Sequence, residues 1–322
     1  MKFGAVAIGR NEGERLQACL TSICGATKVV YVDSGSTDGS LDTAKQAGAE
    51  IVILDTALPF TAARARNAGF ERLWKADPSL EFVQFVDGDC QVVSSWPLQA
   101  LAFLEQHPEV AAVAGRRRER FPTRSVFNWL CDIEWSGPAG ESKAFGGDVM
   151  IRVKAFREVG GYRDDMIAGE EPELCVRLRQ ARWRIWRLDA EMTLHDAGMT
   201  RFSQWWRRSL RGGYAYALGA SLHGKSPDRH KIIEARRAWA WGLWLPVTIA
   251  FACATFGAWP ALLLLAYPLQ IARISLKRTG PLRDRLTVAT FQTLAKFPEA
   301  IGQIMFARDH LFGHNRGLIE YK

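Results

Sequence analysis

Apolar positions keep two different rhythms along the chain. In the first part, short apolar runs alternate with stretches of helical spacing. Residues 3–9 (FGAVAIG) and 28–33 (KVVYVD) have the length and composition of buried strands. Between them, Leu16, Leu20 and Ile23 recur at helical intervals over 15–24. SGSTDGSLDTAKQAGAEIVIL then reads as a loop, a helix stopped at Gly48, and a third strand. A helix over 62–75 leads into another strand at 82–86. Alternating strands and helices predict a mainly parallel sheet with crossover helices. No internal repeat or low-complexity tract interrupts this pattern.

The rhythm changes after residue 200. RFSQWWRRSLRGGYAYALGASL interleaves arginine with tryptophan and tyrosine. From Ala238 to Ala272 there is then no charged residue. A helix that spans a bilayer needs about 20 apolar residues. This run, broken by FGAWP at 256–260, therefore reads as a hairpin of two short helices. Arg236 and Arg237 precede it, and Arg273, Lys277 and Arg278 follow it, which favours both ends facing the cytoplasm. Trp239, Trp241, Trp244 and Trp259 suit an interfacial belt. The expected division is a catalytic α/β domain over 1–200 and a basic-aromatic helical segment over 201–237. The apolar hairpin over 238–272 comes next, then amphipathic helices and a tail over 273–322. The opening MKFGAVAIGRNEGERL reads as a first strand and not as a signal peptide, so the catalytic part is expected on the cytoplasmic face of the membrane.

Composition narrows the partners. A net charge of +8 and a pI near 9.3 call for an anionic one: a nucleotide, a phospholipid surface or nucleic acid. Nucleic acid would explain the charge and leave the apolar run unexplained, so it is set aside. Cysteines at 19, 24, 90, 131, 175 and 253 form no C-x-x-C pair, which disfavours a zinc ribbon or a disulfide framework.

Candidate chemistry sits at strand ends and helix starts. Asp33 closes a strand where open α/β sheets bind ligands, although its Ser-Gly neighbours also suit a plain turn. The G-x-G-x-x-G of a dinucleotide fold is missing after the first strand. Arg64 and Arg66 lie at a helix start, where a bound anion would offset their unfavourable position on the helix dipole. Asp87-Gly88-Asp89 is either a tight turn or a carboxylate pair for Mg²⁺ or Mn²⁺, with substrate phosphates completing the shell. Gly146 and Gly147 allow close approach to backbone. Glu170 and Glu171 open a helix and double as candidate general bases. His195 is a candidate nitrogen ligand, with a structural role as the plainer reading.

Taken in order, these motifs resemble the family 2 glycosyltransferases, inverting enzymes of GT-A fold, over roughly residues 3–210. AIGRNEGERLQACLTSI is similar to their opening strand and helix, VVYVDSGSTDGS to their nucleotide loop, and FVDGDC to their D-x-D motif. FGGDVMIRVKAFREVGGY resembles their glycine loop, and GEEPELCVRL stands where G-E-D-x-D-L is usual. The resemblance implies that Asp33 contacts the nucleoside, with Arg66, Gly146 and Gly147 beside the donor. Asp87, Gly88 and Asp89 would serve donor and metal, with His195 as a further metal ligand. Glu171, with Glu170 as the second choice, would be the base. It also implies a UDP-sugar donor, a Mn²⁺ or Mg²⁺ cofactor, and a glycan or lipid-linked acceptor at a membrane surface. Two departures stand out: Glu171 replaces the usual aspartate, and QWWRR ends in Arg208 where processive synthases have tryptophan. A sugar-nucleotide-forming nucleotidyltransferase and a non-catalytic membrane scaffold are the rival readings.

Overall fold

The computed structural model describes residues 2–225 and 227–313. The chain divides between Thr200 and Arg201 into two compact units.

The first unit is built on one nine-stranded sheet in the order β3-β2-β1-β4-β8-β6-β9-β5, with β7 pairing β9. The strands are β1 (Phe3–Gly9), β2 (Val29–Asp33), β3 (Glu50–Ile53), β4 (Phe82–Asp87), β5 (Cys90–Val92), β6 (Val110–Glu119), β7 (Gly140–Glu141), β8 (Val149–Arg152) and β9 (Arg184–His195). Seven helices connect them: α1 (Glu14–Ser22), α2 (Ser40–Gln46), α3 (Ala62–Ala76), α4 (Trp96–Gln106), α5 (Val126–Trp135), α6 (Val153–Glu158) and α7 (Glu170–Gln180).

β3, β2, β1 and β4 run parallel, as the alternating sequence pattern predicts. They are joined by helical crossovers, which bury both faces of the central strands; Phe3 to Ile8 of β1 are all buried. Beyond β4 the sheet is mixed, because β8 runs antiparallel to both β4 and β6. Side chains of this half reach the carboxyl end of β4, where Asp148 accepts from Asp87 N and Arg117 donates to the Asp87 carboxylate. Irregular pairing of β6 with β9 around Ala114–Arg117 marks a bulge, the kind of local twist that re-aims a side chain.

Two helix starts position groups at this edge. Thr61 caps α3, its Oγ1 accepting from Arg64 N at 3.1 Å and donating to Asp164 O at 3.0 Å. Gly169 precedes α7 with φ 82°, a left-handed turn that glycine adopts without strain, and it aims Glu170 and Glu171 from the first turn.

The second unit is helical: α8 (Phe202–His223), α9 (Ile232–Trp239), α10 (Leu245–Phe256), α11 (Ala266–Leu276), α12 (Leu282–Leu294) and α13 (Lys296–Phe312). Trp205 packs edge-on against Phe291, and Tyr214 against Phe306. The apolar hairpin is longer than its uncharged stretch. A π-turn at Ala240–Trp244 joins α9 to α10, so one continuous helix runs from Ile232 to Phe256. A 3-10 turn at Trp259–Leu265 likewise extends α11 into a helix from Trp259 to Leu276. Arginine is a good helix former, so the helix starts before the charged pair Arg236–Arg237 and not after it. Both helices are long and apolar enough to cross a membrane, and they are little buried. Of the expected tail, residues 314–322 lie outside the described residues.

Candidate active site

At the carboxyl ends of β1, β2 and β3 lies a cleft of about 410 Å³, lined by Arg10, Ser34, Gly35, Asp55, Phe60 and Arg64 among others. Asp33 stands just behind it, fully buried. Its Oδ2 accepts from Gly35 N and Ser36 N, both at 2.9 Å, and its Oδ1 accepts from the Tyr31 hydroxyl at 3.1 Å. The carboxylate thus fixes the turn that forms the cleft wall, which is the plainer of the two roles open to it in the sequence. Arg64 donates to the carbonyls of Leu58, Pro59 and Asp55, so it braces the loop on the other side.

The next group along the edge is a chain of alternating charges. Arg66, 2% exposed, donates from Nη2 to Asp87 Oδ1 at 2.8 Å and from Nη1 to Glu170 Oε1 at 3.0 Å. Its Nη1 also lies 3.2 Å from Glu171 Oε1. One guanidinium therefore faces three carboxylates of the protein. Arg117, aimed inward from the β6 bulge, donates to Asp87 Oδ2 at 2.8 Å and lies 3.2 Å from Asp148 Oδ2. Its guanidinium stacks 5.1 Å from the Trp135 ring centre. Asp148 in turn accepts from Asp87 N at 3.0 Å and from Thr193 Oγ1 at 2.7 Å. Burial alone would push the Asp87 carboxyl up, but Arg66 and then Arg117 outweigh it and hold it well below the usual carboxylate range. Asp87 stays ionised, with one lone pair left on each oxygen.

Gly147 is required by this packing. A Cβ there would sit 2.5 Å from Asp87 Oδ2 and 2.8 Å from Arg66 Nη2, whereas at Gly146 the nearest atom is 4.0 Å away. Gly88 is set by its backbone: its N–H donates to Ile8 O at 2.7 Å, tying the D-G-D turn to β1.

Glu170 and Glu171 differ in access. The Glu170 side chain is 3% exposed and hydrogen-bonded to Arg66; that of Glu171 is 17% exposed. Burial, then the charge of Glu170, pushes Glu171 up to about 7 against the pull of Arg66. Two carboxylates sharing one cation cannot both ionise freely, and the accessible one is left poised near neutral pH.

Asp89 and His195 meet on the far side of the turn, with His195 Nε2 3.1 Å from Asp89 Oδ2. Burial, then the charge of Arg117, pushes the imidazole down to about 3, so it is neutral and keeps a lone pair for a ligand. The 3.1 Å separation matches two adjacent donors on one octahedral cation, which at bond lengths of about 2.1 Å sit about 3.0 Å apart. The donor set fits Mg²⁺ or Mn²⁺. Arg117, Asp148 and Trp135 are the members that the sequence reading missed. Asp148 adjoins the glycine pair, and the arginine run at 116–118 in the middle of a strand was the available signal for Arg117.

A mixed α/β sheet with acidic turns at its carboxyl edge is the GT-A class of fold, and solved structures of that class superpose on the chain. A mannosyltransferase from Pyrobaculum calidifontis, solved with GDP-Man and Mn²⁺, covers 93% of this chain and 87% of its own, with a TM-score of 0.62 and 22% identity. S. aureus TarS covers 97% of this chain and 92% of its own, with a TM-score of 0.52 and 14% identity. At these identities the likeness establishes the fold. Residues 7–139 match Glycosyl transferase family 2. Among curated relatives, a pre-mycofactocin glycosyltransferase of Mycobacterium tuberculosis is 27% identical over 232 residues, 68% of this chain and 47% of its own length. A succinoglycan biosynthesis protein of Rhizobium meliloti is 26% identical over 184 residues, 55% of each chain. The chain spans about half the length of the curated relatives it matches.

Proposed function

We propose that the protein is an inverting glycosyltransferase that moves a sugar from a nucleotide-diphosphate donor, a UDP-sugar, to a hydroxyl of a glycan or lipid-linked acceptor. The observation that carries this reading is Glu171, an accessible carboxylate poised near 7 on the first turn of a rigid helix. It shares Arg66 with Asp87, so the base and the D-x-D turn are mechanically linked.

The nucleoside would lie in the cleft beyond Ser34 and Gly35, with its diphosphate directed toward Asp87 and Asp89. A divalent cation held by Asp89 and His195 would neutralise charge on the diphosphate. Glu171 takes the proton from the acceptor hydroxyl, whose oxygen attacks the anomeric carbon from the face opposite the leaving group. General-base help of this kind is worth about 10²–10⁴-fold in rate. Arg66 keeps Glu171 in place and restrains its proton affinity, and Gly147 lets Asp87 and Arg66 pack close to the backbone.

The test is product analysis with a panel of nucleotide sugars. Transfer releases a nucleoside diphosphate, whereas a nucleotidyltransferase would release pyrophosphate. Glu171→Gln is expected to abolish nucleoside diphosphate release while donor binding persists. Normal turnover by that variant would remove Glu171 from the mechanism.

The second unit supports a membrane setting, on the cytoplasmic face. Phe251, Phe256, Trp259, Leu262 and Leu269 are all more than 60% exposed on the hairpin helices, a surface suited to lipid. Basic residues flank the hairpin at both of its ends.

A further inference from the structure

Cys90 has no part in the transfer chemistry, yet it stands in the middle of the site. It opens β5 directly opposite His195 in the antiparallel β5–β9 pairing, which puts both side chains on one face of the sheet. Its thiol faces Asp89 Oδ1 at 3.7 Å, and Asp89 Oδ2 lies 3.1 Å from His195 Nε2. Sulfur, carboxylate oxygen and imidazole nitrogen all fall within 4.8 Å of one another. Arg117 Nη2 donates to Cys90 Sγ at 3.0 Å, which places a guanidinium charge beside the sulfur. His195 is 6% exposed, and its Nδ1 has no hydrogen-bond partner among the described residues. A packing role alone would be met by alanine or valine. What the strand pairing builds instead is a rigid set of three different donors.

We propose that Asp89, Cys90 and His195 form a thiophilic cation site, which takes Zn²⁺ or Cd²⁺ through one oxygen, one sulfur and one nitrogen and binds them in preference to Mn²⁺ or Mg²⁺. The proposal rests on the metal reading of Asp89 and His195 and adds the sulfur to it. Three protein donors with a fourth position open is the arrangement of a zinc site that admits an outside ligand. Thiolate selects soft and borderline ions, while Mg²⁺ and Mn²⁺ prefer oxygen. As the cation binds, the Cys90 S–H bond breaks, the proton passes to buffer, and the sulfur pair forms the metal bond; nothing is oxidised or reduced. The consequence is that zinc competes with manganese for the same residues, so the site is open to inhibition by free zinc.

The test uses the full chain carrying Cys24→Ser, which removes the exposed thiol. Titration with Cd²⁺ is followed by the ultraviolet sulfur-to-cadmium charge-transfer band. The expected result is a saturable band at one equivalent, lost when Cys90→Ser is added. No band in the parent, or the same band with Cys90→Ser, overturns the proposal. A second measurement needs no change at Cys90: Mn²⁺ bound to the parent, monitored by the paramagnetic resonance of free Mn²⁺, should be expelled by added Zn²⁺. Bound Mn²⁺ that Zn²⁺ cannot expel overturns the proposal while leaving the metal reading of Asp89 and His195 intact. A cadmium band in a protein that binds no Mn²⁺ supports the thiophilic site and contradicts the Mn²⁺ reading.

Discussion

Glu171→Gln is expected to make the protein more stable at the same time as it removes transfer. Folding raises the Glu171 carboxyl from its ordinary 4.5 to about 7. At about 1.4 kcal/mol per pH unit, this corresponds to about 3 kcal/mol of strain once the group is ionised. The sign comes from proton linkage. The folded chain holds this proton more tightly than the unfolded chain, so its contribution is fully present below about 4.5 and is lost as pH rises through about 7. Glutamine never ionises, and its amide oxygen can still accept from Arg66 Nη1, which lies 3.2 Å from the Glu171 carboxylate. Some of the gain is offset because Arg66 loses a charged partner, so the net expectation is about 1–3 kcal/mol at about pH 8 and close to zero at about pH 5. For a unit of this size that raises the unfolding midpoint by roughly 2–12 °C. Thermal unfolding of the full chain at the two pH values measures it directly. A lower midpoint at the higher pH, or an equal rise at both, would refute the idea that Glu171 is held in a strained, ionisable state.

Two further expectations rest on the same structure. Gly147→Ala places a methyl 2.5 Å from Asp87 Oδ2, so it should cost about 1–3 kcal/mol in stability and weaken donor binding, whereas Gly146→Ala should be tolerated; equal effects at the two positions would contradict the close approach. The hairpin helices should carry the chain to floating vesicles that contain anionic lipid, and replacing Phe251, Leu262 and Leu269 by serine should leave it in the soluble fraction; flotation unaffected by these changes would sink the membrane proposal.

The parallel half of the sheet was legible because buried parallel strands are uniform apolar runs separated by helical spacing, and residues 3–9, 29–33 and 82–87 have that form. The mixed half was harder to read. β6 ends in Arg116, Arg117, Arg118 and Glu119, and β9 carries Arg184, Arg187 and Asp189, so neither shows the clean alternation of a strand. The D-x-D turn, the second glycine of the pair, the glutamates and the histidine, all named from the sequence, gather at one edge of the sheet. Local sequence could not show the pairing across it. Arg66 lies 104 residues from Glu170, and Arg117 lies 30 residues from Asp87. Such partners become neighbours only when the crossovers close. For the same reason the three carboxylates around Arg66 could not be read from the residues beside it.

The central claim is that the acidic turn and His195 bind a nucleotide sugar with the help of a divalent cation. The direct measurement is calorimetric titration of the full chain with a panel of nucleotide sugars, with and without Mn²⁺, repeated on Asp89→Asn. At least one donor is expected to bind the unaltered protein more tightly with Mn²⁺ present, and Asp89→Asn should lose that metal-dependent increment. Donor affinity that is the same with and without Mn²⁺, or unchanged by Asp89→Asn, would contradict the account.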